Sequence, residues 1–194
     1  MAKIGLSSLY WSKLTEANDG TPSYDGAKSL GKAVSANVSI TNNSAFLYAD
    51  DVLAESDTSF QSGTITCGVD EDADATFAPL LGHTMTTGET TGGVVTKSTT
   101  DIAPYVGVGR VITKMVSGVL YYKAEVLYKV KFAEPSQDDQ TKGESIEFRT
   151  PEIEGTISAL ANGNWCTSKT FSSKADAVSF ITTLFTAPTT NGVG

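Results

Sequence analysis

Period-two alternation of apolar and polar residues, repeated in several short stretches, limits most what this chain can become. It is the pattern of a strand with one face in a core and the other in water. From Gly31 to Thr41, Val34, Ala36, Val38 and Ile40 fall on one face, with Lys32, Ser35, Asn37 and Ser39 supplying most of the polar remainder. From Gly63 to Val69, Ile65, Cys67 and Val69 alternate with Thr64, Thr66 and Gly68. Tyr105 to Met115 is rich in Val, Ile and Gly. After the turn signal Ser117-Gly118, Val119 to Phe132 resumes with Tyr121, Tyr122, Val126, Tyr128 and Val130, so the pair reads as a hairpin. Ser145 to Arg149 and Ile153 to Ser158 are further candidates; Pro151 between them lacks an N–H and implies a bend, a bulge or an edge. Asn162-Gly163-Asn164 is a turn, and Trp165 to Phe171 reads as the last strand.

Two segments carry helical signals. Asp70 to Leu81 opens on acidic residues, which favour a helix N-terminus, and Gly82 suits the C-cap, while Pro79 keeps the element short or irregular. Ser173-Lys174-Ala175-Asp176 has the form of a capping box with Asp in place of Glu. Beyond it Ala177, Ile181, Leu184 and Phe185 share a face at helical spacing, until Pro188 stops the helix. The expected fold is therefore mainly β (α+β): an antiparallel sandwich or barrel-like layer with a flanking α-helix. At 194 residues the chain suits one domain over 1–194, with a flexible C-terminal tail at 186–194.

Asn42 to Ser59 breaks this regularity and does not fit a tight hairpin. It sets Phe46, Leu47, Tyr48, Val52 and Leu53 among Asp50, Asp51, Glu55 and Asp57. Segments of this length without structure of their own are uncommon in compact domains and usually functional. Exposed aromatic and aliphatic side chains need another surface to cover them. The segment either folds back over its own sheet or, the stronger reading, is an arm over 42–59 that touches a neighbouring subunit. In the second case Phe46, Leu47, Tyr48 and Leu53 are apolar anchors, and Asp50, Asp51 and Glu55 set register through charge pairs.

The chemistry of common active sites is sparse. The single imidazole, His83, follows the Leu80-Leu81-Gly82 helix end, where a cap or packing role outweighs catalysis. One His and two distant cysteines, Cys67 and Cys166, form a poor zinc set, and both read as ordinary thiols with a disulfide left open. Asp70-Glu71-Asp72-Ala73-Asp74 lacks the spacing and closing Glu of a calcium loop. Gly107-Val108-Gly109 has no third glycine and continues as a strand instead of opening a helix, so it is no nucleotide motif. Neither an enzyme nor a bound cofactor or metal is expected. Fourteen basic against 22 acidic residues give a net charge of −8, a poor balance for gripping phosphates. No run approaches the roughly 20 apolar residues of a membrane span, and Met1 to Leu6 does not read as a signal peptide.

A collinear series of short strings resembles the major tail proteins of long-tailed bacteriophages, of the phi-thirteen type. They are Leu47-Tyr48-Ala49-Asp50-Asp51-Val52-Leu53-Ala54-Glu55-Ser56, then Gly63-Thr64-Ile65-Thr66 with Gly68-Val69-Asp70, and Leu80-Leu81-Gly82-His83-Thr84. Ala103-Pro104-Tyr105-Val106-Gly107 and Lys129-Val130-Lys131-Phe132-Ala133-Glu134-Pro135-Ser136 follow. Thr141-Lys142-Gly143-Glu144-Ser145-Ile146-Glu147-Phe148 and Thr150-Pro151-Glu152-Ile153-Glu154-Gly155-Thr156 close the series. The resemblance implies a structural protein of the virion tail, assembled in the host bacterial cytoplasm. Its subunits would form hexameric rings that stack into the hollow tail tube, through which DNA passes without specific binding. Its partners would be copies of itself and the tape measure, tail terminator and distal tail proteins. The competing expectations are a secreted or surface β-domain that binds carbohydrate or protein, and the tube subunit of a phage-derived secretion or bacteriocin particle.

Overall fold

The computed structural model describes residues 2–49, 52–71, 73–86, 93–136 and 150–186, with the backbone alone at 45, 47–49 and 52–54. Strands dominate: β1 (Ala2–Glu16), β2 (Pro22–Tyr24), β3 (Lys28–Gly31), β4 (Ala33–Asn42), β5 (Ala45–Ala49), β6 (Val52–Asp57) and β7 (Phe60–Val69). They continue as β8 (Thr84–Thr86), β9 (Val94–Thr96), β10 (Val106–Val116), β11 (Val119–Phe132), β12 (Glu152–Ser158) and β13 (Cys166–Phe171). The helices are α1 (Asp74–Leu81) and α2 (Lys174–Leu184). One antiparallel sheet of nine strands runs in the order β2-β1-β10-β11-β12-β7-β4, with β13 beside β11 and β3 beside β1. Since β3 leads through Lys32 straight into β4, the far edge of the sheet is drawn back toward β1 and the layer curls on itself. The class is the expected one: mainly β, antiparallel, with a flanking helix.

The hairpin at Ser117-Gly118 sets the register at the centre of the sheet. Ser117 and Gly118 have φ of 48° and 80°, the paired positive values of a two-residue turn whose twist suits its strands. Inside the curl lie Leu9, Trp11, Ile65, Val108, Leu127 and Ile157, and Phe77, Leu80 and Leu81 of α1 pack against the same core. Outside it, Ala177, Ile181 and Phe185 of the α2 segment pack on Leu14, Tyr24, Val111 and Val126. The Gly-Val-Gly of β10 is the seat of that helix. A Cβ at Gly109 would lie 2.4 Å from Ile181 Cγ2, and one at Gly107 would lie 2.6 Å from Phe185 Cε1. Ser173 caps α2 by accepting the Ala175 N–H at 3.2 Å.

Several expectations need correction. Helix α1 starts at Asp74, not Asp70, because the Asp70 carboxylate accepts the Lys32 N–H at 2.8 Å and is drawn to the β3–β4 junction. In β4 only Ala36 and Val38 of the four predicted apolar residues pack on the core. A bulge between Ala33 and Ser35 turns Val34 outward, and Ile40 lies exposed toward the strand's far end. The long first strand has no counterpart in the sequence reading. A bulge between Leu6 and Ser8 breaks its alternation, so that Leu6, Leu9 and Trp11 all reach the inner core. Ser145 to Arg149 and residues 187–194 of the tail lie outside the described residues. The cysteines are free thiols, with no bridge between them. Burial pushes Cys67 up to about 12 and Cys166 up to about 11.

Candidate functional site

The segment set apart in the sequence is a β-hairpin that stands off the main sheet. Among the described residues its strands β5 and β6 pair with each other alone, as a separate two-stranded sheet. The base is pinned where the Asn43 N–H donates to the Ser59 carbonyl and Asn43 Nδ2 to Ser59 Oγ, each at 2.8 Å. The Asp57 carboxylate accepts the Ser59 N–H at 2.8 Å and closes the second leg. This corrects the expectation that the segment does not make a hairpin. It pairs Phe46 with Ser56, Leu47 with Glu55 and Tyr48 with Leu53, the last two steps separated by a bulge that obscures the alternation. Phe46 is 57% exposed and Glu55 lies on the surface. Leu47, Tyr48 and Leu53 are placed by their backbone on the hairpin, whereas Asp50 and Asp51 lie outside the described residues. An isolated two-stranded hairpin is marginal in water, so an arm of this kind gains stability from whatever covers Phe46.

Open strand edges surround the arm. Among the described residues, β4 pairs only with β7, β13 only with β11, and β1 from Ala2 to Ser8 only with β10. Such edges present unpaired N–H and C=O groups to another chain. The pairing also fixes direction. The ladder from β11 through β12 and β7 to β4 is antiparallel at each step. The Asn42–Phe60 end, which carries the arm, and the Val116–Val119 tip therefore leave the sheet at the same end. Ile4, Met115, Val119 and Leu120 lie exposed at that tip.

Two charged clusters brace the frame. Arg110 is buried and stands opposite Glu125 in the β10–β11 ladder. Its Nε donates to Glu125 Oε1 at 2.9 Å and its Nη1 to the Ala36 carbonyl at 2.9 Å, tying β10 to the edge strand from which the arm departs. Lys123 Nζ donates to the other Glu125 oxygen at 2.7 Å. Burial raises the Glu125 pKa, but the Lys123 hydrogen bond and the Arg110 charge outweigh it and hold the carboxyl below its ordinary range.

At the opposite end His83 sits between two carboxylates, Nδ1 at 2.8 Å from Asp101 and Nε2 at 2.8 Å from Glu134, with Lys97 also on Glu134. These bonds, Asp101 first and then Glu134, hold the imidazole above its ordinary 6.5. The ring thus joins the end of α1, the loop after β9 and the end of β11, and both its nitrogens are occupied. A histidine raised in the folded state stabilises fully below its unfolded value, and the gain is lost as pH rises through the folded one. Asp101 and Glu134 are held low, so their part is full above the ordinary carboxylate values of 3.8 and 4.5. The Tm advantage of the parent chain over His83→Gln should be widest between those values and 6.5 and narrow above 6.5. Thermal unfolding at stepped pH checks this, and a gap that stays flat from about pH 5 to about pH 9 would mean that the ring holds its proton no more tightly in the folded chain than in the unfolded one.

The sequence reading missed the tip of β1, β10 and β11 and the Arg110–Glu125 pair. The pair was within reach, because counting outward from the Ser117-Gly118 turn sets these two residues opposite each other. Among the described residues no group of three or more His, Cys, Asp or Glu side chains is arranged to hold a metal ion. No described helix is long and apolar enough to cross a membrane. No protein-family model matches the chain, and no curated protein matches it.

Proposed function

We propose that the chain is the subunit of a hollow self-assembled tube of the phage-tail kind. Rings, hexameric on the resemblance, stack to conduct DNA out of a virion, and the chain has no catalytic role. The observation that carries this reading is the hairpin arm, which stands off the sheet with Phe46 exposed, at the same end as an apolar strand tip. An antiparallel sheet with free edges supports it, since identical copies can complete such edges head to tail. A ring closes its lateral contact, whereas stacking of rings does not close and makes a filament. A net charge of −8 suits a conduit that leaves DNA free to slide. In that setting the tape measure, terminator and distal tail proteins are the partners at the tube's ends.

Negative-stain electron microscopy of the purified full-length chain tests the proposal. Rings or tubes of uniform diameter are the expected result, forming as concentration rises. Monodisperse monomers at the highest soluble concentration would overturn it and return the chain to the class of ligand-binding β-domains.

A further inference from the structure

The tip formed by β1, β10 and β11 carries an unusual charge. Lys3 stands directly opposite Lys114, and Lys114 directly opposite Tyr121. Residues opposite each other in an antiparallel pair share a face. By alternation this face also carries Arg110, Val116, Val119 and Lys123. Its one carboxylate, Glu125, is taken up by Arg110 and Lys123. Lys3 and Lys114 make no salt bridge among the described residues. Like charges directly opposite destabilise a strand pair. In a chain of net charge −8, this tip is a cationic surface waiting for an anionic one.

The arm has the complementary character. Residues 43–59 hold four carboxylates, Asp50, Asp51, Glu55 and Asp57, and neither Lys nor Arg. Glu55, opposite Leu47, and Asp57, opposite Ala45, are exposed together on one face of the hairpin, the face away from Phe46 and Ser56. Both surfaces leave the sheet at the same end, the tip from β10 and β11 and the arm from β7 and β4, with β12 between them. Two such surfaces meet most directly between copies standing side by side with the same polarity. A contact of that kind is heterologous, the class that makes a ring where its rotation closes.

We infer that the acidic β5–β6 arm of one copy lies with its Glu55 and Asp57 face on the Lys3–Lys114 face of the neighbouring copy, and that this contact joins subunits around the ring. The inference rests on the proposed self-assembly and adds the partner surface for the arm.

Two full-length variants test it, Lys3→Glu with Lys114→Glu, and Glu55→Lys with Asp57→Lys. Each should stay folded by circular dichroism and need about tenfold or more protein to assemble, because like charges now face each other across the contact. Mixed together, they should form particles containing both chains, read by light scattering with one chain fluorescently labelled. Lys3→Gln with Lys114→Gln, which removes charge without reversing it, serves if the glutamate variant misfolds; its assembly should weaken and lose its salt dependence. Charge variants that assemble like the parent would overturn this contact while leaving the tube reading in place. A mixture that stays unassembled would overturn it too, as would a parent chain that holds a DNA oligonucleotide which the Lys variants release with assembly unchanged. A parent chain that never assembles would overturn both proposals.

Discussion

Deleting residues 43–59 and joining Asn42 to Phe60 by an Asn-Gly turn should leave a folded monomer that makes no tubes at the concentrations where the parent chain does. The ladder makes this deletion clean. Asn42 and Phe60 are paired at the end of β4 and β7, so a two-residue turn closes them as an ordinary hairpin. Among the described residues the removed strands pair only with each other, so the nine-stranded sheet keeps its ladder hydrogen bonds. Tm should therefore stay within a few degrees of the parent, about the effect of 1 kcal/mol in a chain of this size. Assembly should respond far more. One buried aromatic anchor is worth about 2 kcal/mol or more, and with the arm's charges also gone the concentration needed should rise about a hundredfold. Sedimentation across a dilution series, with electron microscopy of each point, measures this. Tubes of normal abundance from the shortened chain would sink the tube proposal's account of the arm.

The largest effect on stability is expected at Arg110. Replacing it with Met strips two hydrogen bonds from Glu125 and one from the Ala36 carbonyl, leaving the carboxylate with Lys123 alone. Breaking a buried pair from one side costs about 3–5 kcal/mol, because the remaining charge keeps its desolvation penalty. For a chain of this size that is a fall of roughly 6–20 °C in Tm. Arg110→Met with Glu125→Leu should lose less than the sum of the single changes, since the second removes the stranded charge. Thermal unfolding of the four proteins decides, and strict additivity would show that the two side chains stabilise the fold independently. The Ala36 bond gives the pair a further role. It holds the strand from which the arm leaves, so a weakened pair should also raise the concentration needed for assembly.

The parts of the fold legible in the sequence were those in which one rule acted alone. In β7, Ile65, Cys67 and Val69 keep strict alternation and are fully buried. The Ser117-Gly118 turn announced its hairpin, and Ser173 announced α2. Where two rules overlapped, the reading failed. Bulges in β1 and β4 shift the inward face partway along the strand, so a single alternating template finds neither the whole of β1 nor the outward turn of Val34. The arm stood out through its exposed apolar residues, although its hairpin was hidden by a bulge. The clamp on His83 lies beyond any local rule, because Asp101 and Glu134 are 18 and 51 residues away and meet the ring only after the sheet has closed. The cationic tip was equally hidden, since Lys3 and Lys114 become neighbours only through the pairing of β1 with β10.

That pairing sets a timetable for synthesis. β2 and β3 follow β1 closely and pair with its later residues, but Ala2 to Ser8 stay unmatched until β10 has emerged, and the Glu16 side chain waits for Lys129 and the Ala161 N–H, 113 and 145 residues later. The gap between β11 and β7 stays unfilled until β12 has been made. A nascent chain thus spends most of translation with bare strands, in the slow, non-local regime where aggregation competes with closure. The acidic surplus that keeps such chains apart matters most in that interval, before any finished subunit exists.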